Sequence, residues 1–98
     1  MIYEILHTIS QYIGTTPLII LKGDNTEHIL GRAILVKVLL RSDHSYSRTA
    51  KILNSKFNKI KWYAERFKQN EYTDDMADII YWQHKEDIDY SKKLSTGS

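Results

Sequence analysis

The sequence predicts an all-α domain of about six helices, and three observations support this fold class. Apolar residues recur every three or four positions through successive segments, which is the period of a helix with one buried face. Proline and glycine are rare, and Gly14, Pro17 and Gly23 stand where helices are expected to begin or end. Short polar residues that commonly cap helices precede several of them. The chain has 98 residues, which is the length of one domain.

The first two helices follow from the apolar pattern and from the residues that interrupt it. The spacing predicts a helix over residues 2–13, and Gly14 suits the left-handed conformation that often ends a helix. Thr16 is a good N-cap, and the proline after it fits the first helical position, where its missing N–H group is tolerated. A short second helix is therefore predicted over Pro17–Lys22.

A third helix is predicted over residues 27–41, after several capping residues at 24–26. It is apolar on most sides, and such a helix is usually the buried centre of a domain. The same pattern leaves open a face toward a partner subunit. A strand over residues 34–40 is a lesser alternative, because the apolar run continues beyond normal strand length.

Two short helices and a tight turn are predicted next. Ser45 can cap a fourth helix over residues 46–53, and a fifth helix follows over residues 57–69. The turn between them contains Asn54, one of the residues that best tolerate a positive φ angle after glycine.

A sixth helix is predicted after Thr73, its expected N-cap, and ends near residue 90. Its expected inner face consists of Met76, Ile79, Ile80 and Gln83. The aromatic residues Tyr81, Trp82 and Tyr90 fit either the core or a surface for a dimer or another partner. The predicted domain is residues 1–90, and the small, polar residues 91–98 are expected to form a flexible tail.

The net charge is only +2, but the charges are unevenly distributed. Residues 41–68 hold eight basic side chains and two acidic ones, whereas residues 71–89 hold seven acidic side chains and one lysine. The first segment suits a polyanionic partner, and the second would repel one.

Several classes of function are not predicted. The chain has no cysteine, and its four histidines show no metal-ligand spacing. No phosphate-binding loop and no catalytic cluster stands out, so neither a cofactor nor an enzyme is expected. No segment resembles a signal peptide or a membrane span, so a cytoplasmic protein without membrane association is expected.

The fourth helix, the turn and the fifth helix have the composition of a helix-turn-helix motif. Ala50 and Leu53 would pack inward from the fourth helix. Ile60, Ala64 and Phe67 would anchor the fifth helix by one face, which leaves its other face for a ligand. These features predict that the motif binds double-stranded DNA.

Nine residues are the predicted DNA contacts. Asn58 could bind an adenine edge and Lys59 a guanine or a phosphate, while serines and other bases would contact phosphates. Trp62 belongs to the same helix, although packing in the interior is the preferred role for an indole. The predicted contacts are Ser45, Ser47, Arg48, Lys51, Lys56, Asn58, Lys59, Lys61 and Trp62.

Two stretches carry a resemblance to a known superfamily. The segment from Leu39 to Ser45, with the residues of the helix-turn-helix that follow it, resembles that motif in the bacterial Trp repressor. Residues 12–15 and 18–20, followed by the long third helix, are similar to the start of the C-terminal DNA-binding domain of the replication initiator DnaA. The two families share a fold, and the resemblance covers roughly residues 9–88. It implies a DNA-binding regulator of transcription or replication.

The departures from these families leave a second function open. DnaA has Asp-His-Thr-Thr at the head of its recognition helix, where this chain has Lys-Phe-Asn-Lys at residues 56–59. Ala33 and Trp62 stand where the Trp repressor has its corepressor-binding arginines, so the resemblance implies no tryptophan corepressor. The alternative is a protein-interaction module that keeps the fold without specific DNA reading, as an adaptor or antagonist of a replication or transcription protein. Its acidic, aromatic last helix would bind the partner. A homodimer is also left open, since the Trp repressor is a dimer and DnaA-type domains resemble monomers.

Overall fold

Helices form most of the part of the chain that the structure describes. This computed structural model describes the backbone of residues 2–96 and the side chains of residues 2–90. The helices are α1 (Ile2–Ile13), α2 (Pro17–Lys22), α3 (Thr26–Arg41), α4 (Tyr46–Ile52), α5 (Phe57–Arg66) and α6 (Glu71–Thr96). The all-α prediction is confirmed. The strand alternative for residues 34–40 is wrong, because α3 is continuous through that segment.

Local caps determine where several helices begin and end. Gly14 has a φ angle of +86°, as its position after α1 predicts. The Thr16 hydroxyl accepts a hydrogen bond from the N–H group of Ile19, and the Ser45 hydroxyl accepts one from the N–H group of Arg48 at 3.0 Å. Both predicted N-caps are therefore confirmed.

Helix α3 lies at the centre and separates two apolar clusters. One face packs against α1, α2 and α6, and the opposite face packs against α4 and α5. The buried residues of the first cluster are Ile5, Leu6, Ile9, Ile20, Ile34, Leu35, Val38, Met76, Ala77, Ile80 and Ile88. Those of the second cluster are Ala33, Val36, Ala50, Ile60 and Tyr63. The apolar character of α3 on most sides is thus explained by burial within this chain.

Two basic residues of α3 connect it to α6. Lys37 Nζ donates hydrogen bonds to the Phe67 carbonyl (2.5 Å), the Thr73 hydroxyl (2.8 Å) and the Asp74 carboxylate (2.5 Å). One turn later, Arg41 pairs with the Asp78 carboxylate at 2.5 Å. Lys37 uses all three of its N–H donors in this way, and its contacts join α3 to the end of α5 and the start of α6.

The start and inner face of α6 differ from the prediction. The helix begins at Glu71, and its first turn is capped by Asn70, whose side-chain oxygen accepts a hydrogen bond from the N–H group of Thr73 at 2.9 Å. Thr73 is therefore not the N-cap, and its hydroxyl bonds to Lys37 instead. Ile79 and Gln83 are exposed rather than inward-facing, whereas Ile88 is fully buried.

The ends of three helices also differ from expectation. Helix α4 ends at Ile52 and α5 at Arg66, each earlier than the apolar pattern indicates. The backbone of α6 is helical to Thr96, while the side chains of residues 91–96 and all of residues 97 and 98 lie outside the described part. The flexible tail over residues 91–98 stays a prediction.

Candidate nucleic-acid interface

The turn between α4 and α5 has the geometry that its sequence predicts. Asn54 has a φ angle of +51°, in the left-handed region that asparagine tolerates. The N–H group of Ser55 donates a hydrogen bond to the Ala50 carbonyl at 2.8 Å. Tyr46 is the first residue of α4 and Phe57 the first residue of α5, and their rings meet edge to face with centroids 5.8 Å apart. The N-terminal ends of α4 and α5 therefore lie side by side.

Helix α5 is anchored by a face that includes a residue absent from the prediction. Ile60 is buried as expected, and Ala64 and Phe67 are partly buried. Tyr63 is also buried, and it belongs to the cluster between α3 and α5. Its position three residues after Ile60 and four before Phe67 is the sequence signal that could have identified it.

Arg32 of α3 is the second residue that the sequence analysis missed. Its Nε donates a hydrogen bond to the Tyr63 hydroxyl at 2.6 Å, and one terminal nitrogen donates to the carbonyls of Ile20 (2.6 Å) and Gly23 (2.7 Å). These bonds join the end of α2, the middle of α3 and the inner side of α5. The resemblance places Ala33 at a corepressor arginine, but Ala33 is buried in the core, and the arginine beside it is the residue that reaches α5.

Eight of the nine predicted contacts have exposed side chains, and the ninth, Arg48, is half-buried. They lie on the N-cap of α4, on α4 itself, in the turn and on α5. We call this set, together with Arg66 and Lys68, the α4–α5 surface. Arg66 is exposed four residues after Trp62, so it shares the outer face of α5 with Asn58. It was not among the predicted contacts.

Trp62 corrects the expectation of an indole packed in the interior. It is 44% exposed, near the middle of the outer face of α5. Lys59 Nζ lies 5.3 Å from the centre of the Trp62 ring and 5.5 Å from that of Tyr63, which is the geometry of a cation–π contact. The exposed lysine and indole thus form a pair on the surface.

The charges of the α4–α5 surface are mostly uncompensated. Residues 46–69 contain seven bases and one acid, Glu65. That acid lies 3.9 Å from Lys61 Nζ, which is a weak ion pair between exposed groups. In the part of the chain that the structure describes, the other bases of this surface make no ion pair. The result is a positive patch on an anchored pair of helices.

An open groove of about 440 Å³ adjoins this patch. It lies between the end of α2, α3 and the N-terminal half of α5. Leu35 and Ile60 contribute apolar lining, and Arg32 and Lys59 contribute positive charge. Lys59 therefore borders both the groove and the outer surface of α5.

The opposite charge is concentrated on α6. Residues at intervals of three and four form one solvent-facing stripe, which we call the α6 surface. Trp82 and Tyr90 are 60% and 65% exposed, so these two aromatics belong to the surface rather than the core, while Tyr81 is partly buried. The α6 surface consists of Tyr72, Asp75, Ile79, Trp82, Glu86 and Tyr90.

Among the residues whose side chains the structure describes, three acids of α6 have basic partners and four do not. Asp74 and Asp78 pair with bases of α3, and Asp89 accepts a hydrogen bond from Lys85 Nζ at 2.8 Å, which raises the pKa of Lys85. The acids without an ion pair to any described residue are Glu71, Asp75, Glu86 and Asp87. Two of these, Asp75 and Glu86, belong to the α6 surface.

Two further observations concern residues 2–90 and the described helices. No group of three or more histidine, aspartate or glutamate side chains is placed to hold a metal ion. None of the helices combines the length and the apolar character needed to cross a membrane.

Comparisons with known protein families, with curated proteins and with solved structures gave no match. The resemblance to the Trp repressor and DnaA stays a hypothesis, and the candidate function is argued from the residues of this chain.

Proposed function

We propose that the chain binds double-stranded DNA through the α4–α5 surface. The observation that carries the proposal is the excess of exposed, uncompensated bases on two short helices whose inner faces are anchored in the core. Phosphate contacts supply most of the affinity of DNA-binding proteins, and lysine and arginine are the residues that make them. A surface with seven bases and one acid between residues 46 and 69 meets that requirement.

The proposed mechanism inserts the outer face of α5 into the major groove. The Asn58 side chain can donate one hydrogen bond to an adenine edge and accept another from it, and Arg66 can bind a guanine with two parallel hydrogen bonds. Trp62 lies between them and supplies an apolar surface for a thymine methyl group. Arg48, Lys51 and Lys56 then contact phosphates on either side, which fixes the orientation of α5 on the duplex.

The biological role that fits this mechanism is a small cytoplasmic regulator of transcription or replication. The chain has no phosphate-binding loop that would couple DNA binding to nucleotide hydrolysis.

The test is a fluorescence titration of a random-sequence duplex pool at two or more salt concentrations. If about four bases each neutralise a phosphate, the slope of log affinity against log salt is about −3 to −4 per protomer. We expect Lys59→Ala combined with Lys61→Ala to weaken binding at least tenfold and to make the slope less steep.

A matched control separates a localised contact from a general charge effect. Lys22→Ala combined with Lys85→Ala removes the same charge from one exposed and one half-buried position, both outside the α4–α5 surface. The control should retain most of the affinity. Equal losses in both double variants would contradict a DNA site on α5, and an absence of binding at about 50 mM salt would contradict DNA binding altogether.

A second candidate function is protein binding through the α6 surface. Contiguous exposed apolar surface is unusual on a monomer, and here the exposed side chains of Trp82 and Tyr90 lie on one stripe with Ile79. Acidic side chains in the same stripe would repel DNA and favour a basic partner. Loss of partner binding in Trp82→Ser, with DNA binding unchanged, would distinguish this function from the first.

A further inference from the structure

We infer that the α6 surface binds the α4–α5 surface of a second copy of this chain. The inference deepens the second candidate function by naming the partner, and it rests on that candidate. It follows from the placement of two complementary surfaces on one chain.

The charges of the two surfaces are complementary. Residues 46–69 carry seven bases and one acid, whereas residues 71–90 carry seven acids and one base. The ion pairs within the chain do not use all of these charges. On the α6 surface, Asp75 and Glu86 have no ion pair with a described residue. The same is true of Lys51, Lys56 and Arg66 on the α4–α5 surface. Juxtaposing the surfaces of two copies would pair these groups.

Each surface also offers apolar area. Trp62 of the α4–α5 surface is 44% exposed, and Phe57, which adjoins that surface, is 46% exposed. Ile79 and Trp82 are 44% and 60% exposed on the α6 surface. Specific protein interfaces commonly have aromatic residues at the centre and charged residues at the rim. Burial of these side chains between two copies would supply hydrophobic stabilisation that ion pairs between exposed groups cannot give alone.

The charges argue against pairing of like surfaces. Two α6 surfaces facing each other would bring Asp75 and Glu86 of one copy toward the same acids of the other, and two α4–α5 surfaces would oppose lysines to lysines. Unlike pairing is therefore favoured. With a two-fold axis, two copies form the contact twice and the assembly closes. Another rotation that closes gives a ring, and one that does not close gives an open chain.

The same bases would serve DNA and the second copy. Duplex DNA has a higher density of negative charge than the α6 surface with its two acids, so it should displace the α6 surface from the α4–α5 surface. Self-association would then store the protein in a form that releases monomers when DNA is present.

The experiment measures mass by sedimentation equilibrium without DNA, at low salt and at protein concentrations up to about 0.5 mM. The wild-type mass should rise above the monomer value of 11.5 kDa with increasing concentration and return to it at high salt. A protein that stays monomeric throughout this range would overturn the inference.

Charge-swap variants identify the surfaces. Lys59→Glu combined with Lys61→Glu, and Asp75→Lys combined with Glu86→Lys, should each give monomers when tested alone. An equimolar mixture should associate again, because the unaltered α6 surface of the first variant then meets the unaltered α4–α5 surface of the second, and this recovery also shows that both variants are folded. Self-association that survives in either variant, or that fails to return in the mixture, would overturn the inference.

A last arm of the experiment adds a short random-sequence duplex to the associated wild-type protein. We expect the self-associated species to be lost as protein–DNA complexes form. DNA that binds without dissolving the self-associated species would contradict a shared surface. Failure of the duplex to bind would count against the first proposed function only, because self-association is measured without DNA.

Discussion

Arg32 of α3 donates a hydrogen bond from Nε to the hydroxyl of Tyr63 on α5, at 2.6 Å. The same guanidinium holds two carbonyls at the end of α2. Tyr63 belongs to the anchoring side of α5, so this bond links the central helix to the helix that carries the proposed DNA contacts. A charged group in a half-buried position thereby fixes where the outer face of α5 lies.

The first prediction concerns this bond. Tyr63→Phe keeps the buried ring but removes the hydroxyl that accepts from Arg32, and it leaves a charged donor without its partner. A hydrogen bond to a charged group contributes about 1.5–3 kcal/mol, and the partial exposure of Arg32 places the expected loss at the lower end of that range. Urea denaturation measures the change in the free energy of unfolding.

Tyr3→Phe is the control, because Tyr3 is an exposed tyrosine of α1 outside both clusters. It should leave the unfolding midpoint unchanged. Equal midpoints for wild type and Tyr63→Phe would show that the bond between Arg32 and Tyr63 does not hold α5 in place.

The second prediction compares two fully buried threonines. The Thr49 hydroxyl on α4 has no hydrogen-bond partner among the described residues, whereas the Thr73 hydroxyl donates to the Asn70 carbonyl and accepts from Lys37. Burying a hydroxyl without a partner is costly, and removing one that has partners leaves those groups unsatisfied. Thr49→Val should raise the free energy of unfolding by up to about 1 kcal/mol, and Thr73→Val should lower it by about 1–3 kcal/mol.

Each variant serves as the control for the other, since valine has nearly the shape of threonine and a similar helix propensity. Thermal and urea unfolding followed by circular dichroism would measure both. A loss of stability in Thr49→Val comparable to that in Thr73→Val would mean that the Thr49 hydroxyl has a partner in solution.

The helices could be predicted from the sequence because their signals are local. The period of the apolar residues and the caps at Thr16 and Ser45 depend on neighbours within four positions, and these helix starts were correct. The start of α6 was wrong because Asn70 and Thr73 are both good caps. A tertiary contact decides between the two residues, since Lys37, 36 positions earlier in the sequence, donates a hydrogen bond to the Thr73 hydroxyl.

The site was predicted only in part, for two physical reasons. Helix α3 is apolar on most sides, so its sequence pattern does not predict which neighbouring helix the Arg32 side chain contacts. Its partner, Tyr63, lies 31 positions later. Trp62 was predicted to pack in the interior. However, it lies two positions from both Ile60 and Ala64, a spacing that places it on another face of α5. In this helix the spacing was a better guide than hydrophobicity.

The third prediction concerns the turn between α4 and α5. Asn54 has a φ angle of +51°, which costs about 1–2 kcal/mol for most residues with a Cβ atom and less for asparagine. Asn54→Ala should therefore lower the free energy of unfolding by about 1 kcal/mol, while Asn54→Gly should change it by only a few tenths. The measurement is the unfolding midpoint of the two variants under identical conditions. If alanine and glycine were equivalent there, the turn would not require a left-handed residue.

The fourth prediction tests Arg66, which the sequence analysis did not include among the DNA contacts. It is exposed on the outer face of α5, one turn after Trp62, and it has no ion-pair partner among the described residues. If α5 enters the major groove, Arg66 contacts either a phosphate or a guanine. Arg66→Ala should weaken duplex binding in both cases, but the dependence on salt and sequence separates them.

A phosphate contact predicts a loss of affinity that is uniform across sequences, with a salt slope less steep by about 1. A guanine contact predicts a loss of about 1–3 kcal/mol that is confined to preferred sequences, with relaxed specificity at one base pair. Selection of bound duplexes from the random pool by wild type and by Arg66→Ala measures both quantities. Lys85→Ala removes one positive charge from α6 and is the control. Unchanged affinity and an unchanged slope in Arg66→Ala would place the C-terminal half of α5 outside the DNA interface and restrict that interface to α4, the turn and the first turns of α5.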